Sequence, residues 1–305
     1  VFASGWDGSL PFGEALRKML EQPYTLAAAF IGSTFLTMAT HGTDQDMVQR
    51  MLTAKDYVRS RWSLILSGLA DIPIAFAFLA IGILLWVRYQ VIPDPHLPAA
   101  DNEVFAHYIV REMPVGVRGL IVAGVFATMM GSTSAALNAL ATSFTKDFFL
   151  PIWGARATER GSVLAARVAT AVFGALMVAV ATVAASAVLR DAHLTIIPIA
   201  LGILGYTYGA LLGVFLLGML TRRRGSDRAN LVAMALGVVA VLVLGKIEIP
   251  GIADFGWIAP AWWPKLSWPW YVLTGSVVTF GVGVFFPTPE SQVRVAEAHV
   301  REGAA

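Results

Sequence analysis

The sequence predicts an all-α integral membrane protein, and three observations carry that reading. Of the 305 residues, 57% are hydrophobic and only 14% charged, with a mean hydropathy of +0.68. A soluble domain carries roughly a quarter charged residues, so this chain has about half the charge that a water-facing surface requires. Seven apolar stretches are the second observation: 24–40, 62–90, 118–144, 162–189, 194–219, 230–244 and 267–286. A helix needs about 20 apolar residues to cross a bilayer, so the short first and sixth stretches must borrow flanking residues. The third observation is that charges and aromatics collect between the stretches.

Each element has its own justification. Residues 1–23 read as an outer connection, 24–286 as the transmembrane part and 287–305 as a cytoplasmic tail, within one transmembrane domain over 1–305. The first span and the segment after it are interrupted by Gly32, Gly42 and polar residues, the pattern of a discontinuous helix lining a site. The second carries Asp71 about nine residues from its start, near mid-membrane at 1.5 Å per residue, followed by Pro73. An aspartate at a helix centre costs roughly 2.5–3.5 kcal/mol on insertion scales, so it has to face protein or water. Its role is either coupling or a hydrogen bond to backbone opened by Pro73. In the third span Thr128, Ser132, Ala135, Thr142 and Thr145 recur at three- and four-residue steps and share one face. Between the sixth and seventh spans, Trp257, Trp262, Trp263, Trp268 and Trp270 gather with Pro260, Pro264 and Pro269. Tryptophan collects at the headgroup level because its ring is apolar and its N–H polar.

Charge then predicts orientation. With the N-terminus outside, the connections after spans one, three and five and the tail are cytoplasmic, and they hold 14 of the 22 basic residues. Among these are Arg50, Lys55, Arg59, Arg61, Arg156, the run Arg222-Arg223-Arg224, and Arg294 and Arg301 in the tail. Positive charge is retained on the cytoplasmic face, so N-out and C-in is the expected topology in the cell membrane.

Composition also excludes. The chain has no cysteine, which removes disulfides, thiolate metal sites and cysteine nucleophiles. The formal charge of +2 gives nucleic acid no surface to bind. His41, His96, His107, His193 and His299 are scattered, with no zinc-type spacing and no Ser/His/Asp constellation, so the chain reads as no enzyme and needs no cofactor. It begins at Val1 without a signal-peptide pattern and is read as a piece of a longer protein.

Two segments are more specific than hydropathy. One is Gly42-Thr43-Asp44-Gln45-Asp46-Met47-Val48-Gln49-Arg50, running on to Asp56. The other runs from Pro114-Val115-Gly116-Val117-Arg118-Gly119-Leu120 through Gly131-Ser132-Thr133-Ser134-Ala135-Ala136-Leu137-Asn138 to Phe144-Thr145-Lys146-Asp147. A weaker third is Tyr208-Gly209-Ala210-Leu211-Leu212-Gly213, followed by Arg222 and Arg223. Together these resemble the sodium:solute symporter family. The resemblance implies a LeuT-like fold of two inverted repeats, of which this chain looks like the second repeat plus C-terminal helices, about seven spans in all. It implies sodium-coupled symport of a small polar solute by alternating access, with the sodium ion, the solute and the lipid bilayer as partners. A proton-coupled carrier and a transporter-like sensor are the alternatives.

The same resemblance places sodium on the third span. The family's ligating carbonyl falls on Thr128, its two hydroxyls on Gly131 and Ser132, and a hydroxyl for a second ion on Ser134. Gly131 departs from the pattern because it has no side chain. Hydroxyls and carbonyls suit a hard monovalent cation, which wants oxygen ligands. The bland account of the stripe is close helix packing, with hydroxyls bonding back to their own backbone. The end of the first span offers Thr37, Thr40, His41 and Gln45 to a polar solute. Asp44 there is either a coupling residue or a helix cap paired near Arg50.

Overall fold

The computed structural model describes residues 6–154, 158–190, 196–249, 253–260 and 262–293. Arg156, His193, His299, Arg294 and Arg301, the first two residues of the fifth predicted span and most of the tail lie outside them. The chain folds as two compact units, Val1–Val48 with Ile197–Ala305, and Gln49–Ile196.

In the first unit, α1 (Phe12–Glu21) is an amphipathic helix inside the connection expected before the first span. Asp7 anchors the turn before it, accepting from the Ser9 hydroxyl at 2.6 Å and from Lys18 Nζ at 3.0 Å. These bonds, Ser9's first, hold its carboxyl down at about 2. The first span is helical through a widened π-turn, Ala28–Gly32, that runs directly into α2 (Ser33–Thr43). The interruption foreseen at Gly32 is therefore a widening, and the chain breaks instead at Asp44, whose backbone is extended (φ −77°, ψ 125°). From there α3 (Gln45–Leu52) begins.

The second unit holds α4 (Tyr57–Val91), α5 (Asp101–Glu112), α6 (Val115–Ser143), α7 (Leu150–Trp153) and α8 (Glu159–Arg190). The Asp56 side chain caps α4 by accepting from Arg59 N at 2.8 Å, which satisfies one of the amides that the first helical turn leaves without a partner. At 35 residues α4 is about 52 Å long, well beyond a hydrocarbon core of about 30 Å, and Pro73 sits inside it without breaking it. Pro114 precedes α6, which ends in a π-turn, Phe144–Phe149, leading into α7. Phe144 meets Phe173 of α8 edge-on, with centroids 6.2 Å apart.

The connection between α4 and α6 contains a helix that hydropathy does not show, α5, because charged groups pin a short helix there. Arg88 Nη2 lies 2.7 Å from Glu112 Oε2, and the Arg88 guanidinium stands 5.6 Å over the Tyr108 ring. His107 Nε2 lies 2.8 Å from Asp94 Oδ2, and that contact, with the His96 amide, holds the Asp94 carboxyl below its ordinary value.

The first unit is completed by α9 (Ile196–Leu220), α10 (Asp227–Leu244) and α11 (Tyr271–Val284), the last entered through one 3₁₀ turn, Trp268–Trp270. A two-residue ladder, Glu248–Ile249 against Ala253–Asp254, lies between α10 and α11. Small residues set how these helices pack. Gly209 of α9 faces Gly275 of α11 so closely that a Cβ on Gly209 would stand 2.7 Å from the Val272 carbonyl oxygen and 2.8 Å from Gly275 Cα. On α10, Ala229, Ala233, Gly237 and Val241 form a buried stripe at four-residue steps. Across it, buried Thr279 of α11 donates to the Ala233 carbonyl at 3.2 Å. Small-residue seams of this type let helix backbones approach where lipid offers no hydrophobic drive for association.

Hydrogen bonds sort this unit's connections into two ends. At one, Leu20 O accepts from Ser267 N at 3.0 Å, and Leu244 O accepts from Leu266 N at 3.1 Å. That gathers the end of α1 and the tryptophan-rich connection. At the other, Gly225 N donates to Phe286 O at 2.7 Å and Thr288 N to Arg223 O at 3.1 Å, joining the arginine turn to the segment after α11. Gly42, near the end of α2, contacts Phe215 toward the C-terminal end of α9. Among the described residues, five helices are long and apolar enough to cross a membrane: α4, α6 with its continuation, α8, α9 and α10. The first and seventh predicted spans are present as shorter helices.

Candidate functional site

The candidate residues divide between the two units. In the first unit they follow the last turns of α2. Ala39 points into the core with Leu212 and Val272, while Thr37 and Gln45 are exposed and Thr40, His41 and Asp44 half-buried. Thr40 donates to the Leu36 carbonyl at 3.0 Å, and His41 Nδ1 lies 3.1 Å from the Thr37 carbonyl. Both side chains are thus folded back along their own helix.

Asp44 does two things at once. Its Oδ1 accepts from Asp46 N at 2.9 Å, capping α3, and its Oδ2 accepts from the Tyr208 hydroxyl at 2.6 Å. The carboxylate thus caps α3 with one oxygen, and α9 supplies the partner on the other. Tyr208 was not foreseen as a site residue, although it opens the third motif. The available signal was a phenol in a glycine-rich apolar helix, since a buried tyrosine hydroxyl requires a polar partner.

In the second unit, α6 runs unbroken past Thr128, Gly131, Ser132 and Ser134, so no freed carbonyl marks a site there. The Thr128 hydroxyl donates to the Gly124 carbonyl at 3.0 Å, and Thr145 to Ala141 at 2.7 Å. The Thr128 carbonyl keeps a second lone pair for a ligand after its helix bond is made. Ser132 is exposed on the same face. Ser134 is not, because two residues along a helix turn a side chain about 160° away. Ser134 instead borders a groove of about 580 Å³ with Met130, Thr133, Leu137 and Asn138 of α6 and Thr170 of α8. The four sodium positions therefore occupy two faces. Open space surrounds Gly131, with no atom within 4 Å of where its Cβ would stand. Asp71 is exposed on α4.

An apolar cavity of about 350 Å³ lies between the start of α2 and the Trp268–Pro269 turn, lined by Tyr24, Ala28, Leu36, Leu201 and Val272 among others. It contains none of the candidate residues. Among the described residues no three His, Asp or Glu side chains gather as a metal site.

Long apolar helices packed through a glycine seam define a multi-pass helical membrane protein. The chain belongs to the sodium:solute symporter family, whose model matches residues 11–237. It is 29% identical over 261 residues to the sodium/sialic acid symporter NanT of Aliivibrio fischeri, covering 85% of this chain and 47% of that protein. It is 28% identical over 223 residues to the sodium/sialic acid symporter SiaT of Proteus mirabilis, covering 72% and 43%. A solved structure of a Na⁺-coupled sialic acid symporter in a substrate-bound, outward-open state superposes with a TM-score of 0.64 at 25% identity, over 85% of this chain and 48% of that one. The fold is accordingly the LeuT-like transporter fold expected from the motifs. The chain spans about half the length of these relatives. The family is one of solute transporters, not an enzyme class.

Proposed function

We propose that this chain forms part of a sodium-coupled symporter that moves a small polar solute across the cell membrane by alternating access. The observation that carries the reading is the family match over residues 11–237. Relatives named for sialic acid, monocarboxylates, vitamins and mannose are each named as sodium-coupled, which favours sodium over a proton as the coupling ion. On α6 the Thr128 carbonyl and Ser132 hydroxyl supply oxygen donors for the ion, with Ser134 on the other face for a second. Thr37, Thr40 and His41 at the end of α2 and Gln45 at the start of α3 supply polar contacts for the solute, and Asp44 and Asp71 are the candidate acidic groups for coupling. Oxygen ligands without fixed charge bind a monovalent cation loosely enough to release it each cycle. The test is uptake of labelled sialic acid, lactate, biotin and mannose into vesicles containing the complete gene product. Stimulation of one of them by sodium is the expected result. Uptake that follows a pH gradient and ignores sodium would overturn it.

We further propose that the end holding the arginine turn is cytoplasmic. The bonds joining Arg223 and Gly225 to Thr288 and Phe286 support this, because they group basic connections that the positive-inside rule assigns to one face. The chain has no native cysteine, so single cysteines report sidedness directly. Gly225 cannot host one: its φ is +89° and a Cβ would stand 2.7 Å from Leu217 Cδ2. Arg222 and Trp262 are both exposed and serve instead. An impermeant maleimide added to intact cells should label Trp262→Cys, and Arg222→Cys only after permeabilisation. The reverse pattern inverts the topology.

A further inference from the structure

Two of the three sequence motifs meet at a single hydrogen bond. Asp44 belongs to the first and Tyr208 opens the third, 164 residues later, and the Tyr208 hydroxyl donates to Asp44 Oδ2 at 2.6 Å. The bond lies at a special place in the chain. Asp44 is the one extended residue between α2 and α3, and within α3 the first segment of the first compact unit ends at Val48 and the second unit begins at Gln49.

We propose that Tyr208 is a positioning residue for this corner. It acts through Asp44, holding the carboxylate so that Oδ1 stays on the first amides of α3, Asp46 N at 2.9 Å and Met47 N at 3.4 Å. A carboxylate with two oxygens is suited to this. One oxygen fixes where α3 starts and the other ties that start to α9, whose Gly209 and Gly213 are locked against α11. The start of α3 is then held by the α9–α11 seam and not by the corner alone. Phenylalanine at 208 keeps the ring and its packing and removes only the tie. Asparagine at 44 keeps one carbonyl oxygen for the cap and removes the charge.

The proposal rests on the carrier reading for its transport arm alone. The first measurement is amide hydrogen exchange on the complete gene product in detergent or nanodiscs. Tyr208→Phe should speed exchange at residues 46–48 by about tenfold or more, the effect expected when a hydrogen bond to a charged group is lost. Amides of α9–α11 should be unchanged. Adding Asp44→Asn should raise exchange little further, because both substitutions break the same bond. The second measurement is uptake: Tyr208→Phe should lower kcat by about tenfold and leave KM for solute within about twofold, since the residue acts on the corner and not on the ligand. Wild-type exchange at 46–48 in Tyr208→Phe overturns the proposal. Loss of protection throughout α9–α11 also overturns it, making Tyr208 a general packing residue, as does a raised KM at unchanged kcat, making it a solute contact. If the wild-type protein shows no sodium-dependent uptake, the symport reading falls and the exchange measurement still decides the corner.

Discussion

Gly209→Ala should destabilise the protein although alanine is the better helix former. The propensity gain is at most about 1 kcal/mol. Against it, the added methyl would stand 2.7 Å from the Val272 carbonyl oxygen and 2.8 Å from Gly275 Cα, and both neighbours are backbone. Neither can rotate away, so α9 and α11 must separate, and overpacking of this kind costs about 1–3 kcal/mol. The clash wins. Separation also strains the Thr279–Ala233 bond on the far side of α11, because Gly237 leaves no room for Thr279 to shift toward α10. The measurement is the melting midpoint of purified protein in one detergent, with Gly131→Ala as the control. At Gly131 nothing stands within 4 Å, so the control should hold or gain stability. Gly209→Leu should abolish the monodisperse peak altogether. A midpoint for Gly209→Ala at or above wild type would show that the seam is not tightly packed.

Ser132→Ala should raise the half-saturating sodium concentration for uptake by about tenfold or more, the scale of one lost bond to a charged group. Gly131→Ser should lower it. A hard cation stripped of water needs each missing oxygen ligand replaced. The face offers the Thr128 carbonyl and the Ser132 hydroxyl, while the Thr128 hydroxyl is already committed to Gly124. A serine at 131 fits without clash, so its hydroxyl comes at little steric cost. It also favours the helix by under about 1 kcal/mol, and protein amount must therefore be measured separately from affinity. Lithium and potassium serve as ion controls. An unchanged value in Ser132→Ala with a raised one in Gly131→Ser would reduce the hydroxyl face to helix packing.

The spans were legible because their signal is composition summed over many residues. The second, predicted over 62–90, is Tyr57–Val91, and the third, predicted over 118–144, is Val115–Ser143. The early starts follow from caps that the sequence shows, Asp56 and Pro114, which hydropathy does not weigh. The helices α1 and α5 were hidden because short amphipathic segments carry too few apolar residues to stand out. They form through specific contacts, Asp7 with Lys18 and Arg88 with Glu112. The candidate oxygen ligands were legible as residue types, since threonine and serine at helical steps in an apolar stretch are conspicuous. Their division into two faces needed only the helical period applied to Ser134. The need of Tyr208 for a polar partner was legible, but its pairing with Asp44 was not, because nothing local to either residue names the other.

The shortness of α11 has a consequence for the surrounding lipid. Fourteen helical residues rise about 21 Å, and the 3₁₀ turn of three adds about 6 Å, which leaves the element short of an average hydrocarbon core. It cannot compensate by sliding. The Leu20–Ser267 bonds hold one end among tryptophans, and the Gly225–Phe286 bond holds the other at the arginine turn. A mismatch of a few ångströms is taken up by modest thinning of the bilayer or by flanking side chains reaching to the interface. Acyl-chain length in reconstituted vesicles thereby becomes a variable acting on the packing around α11.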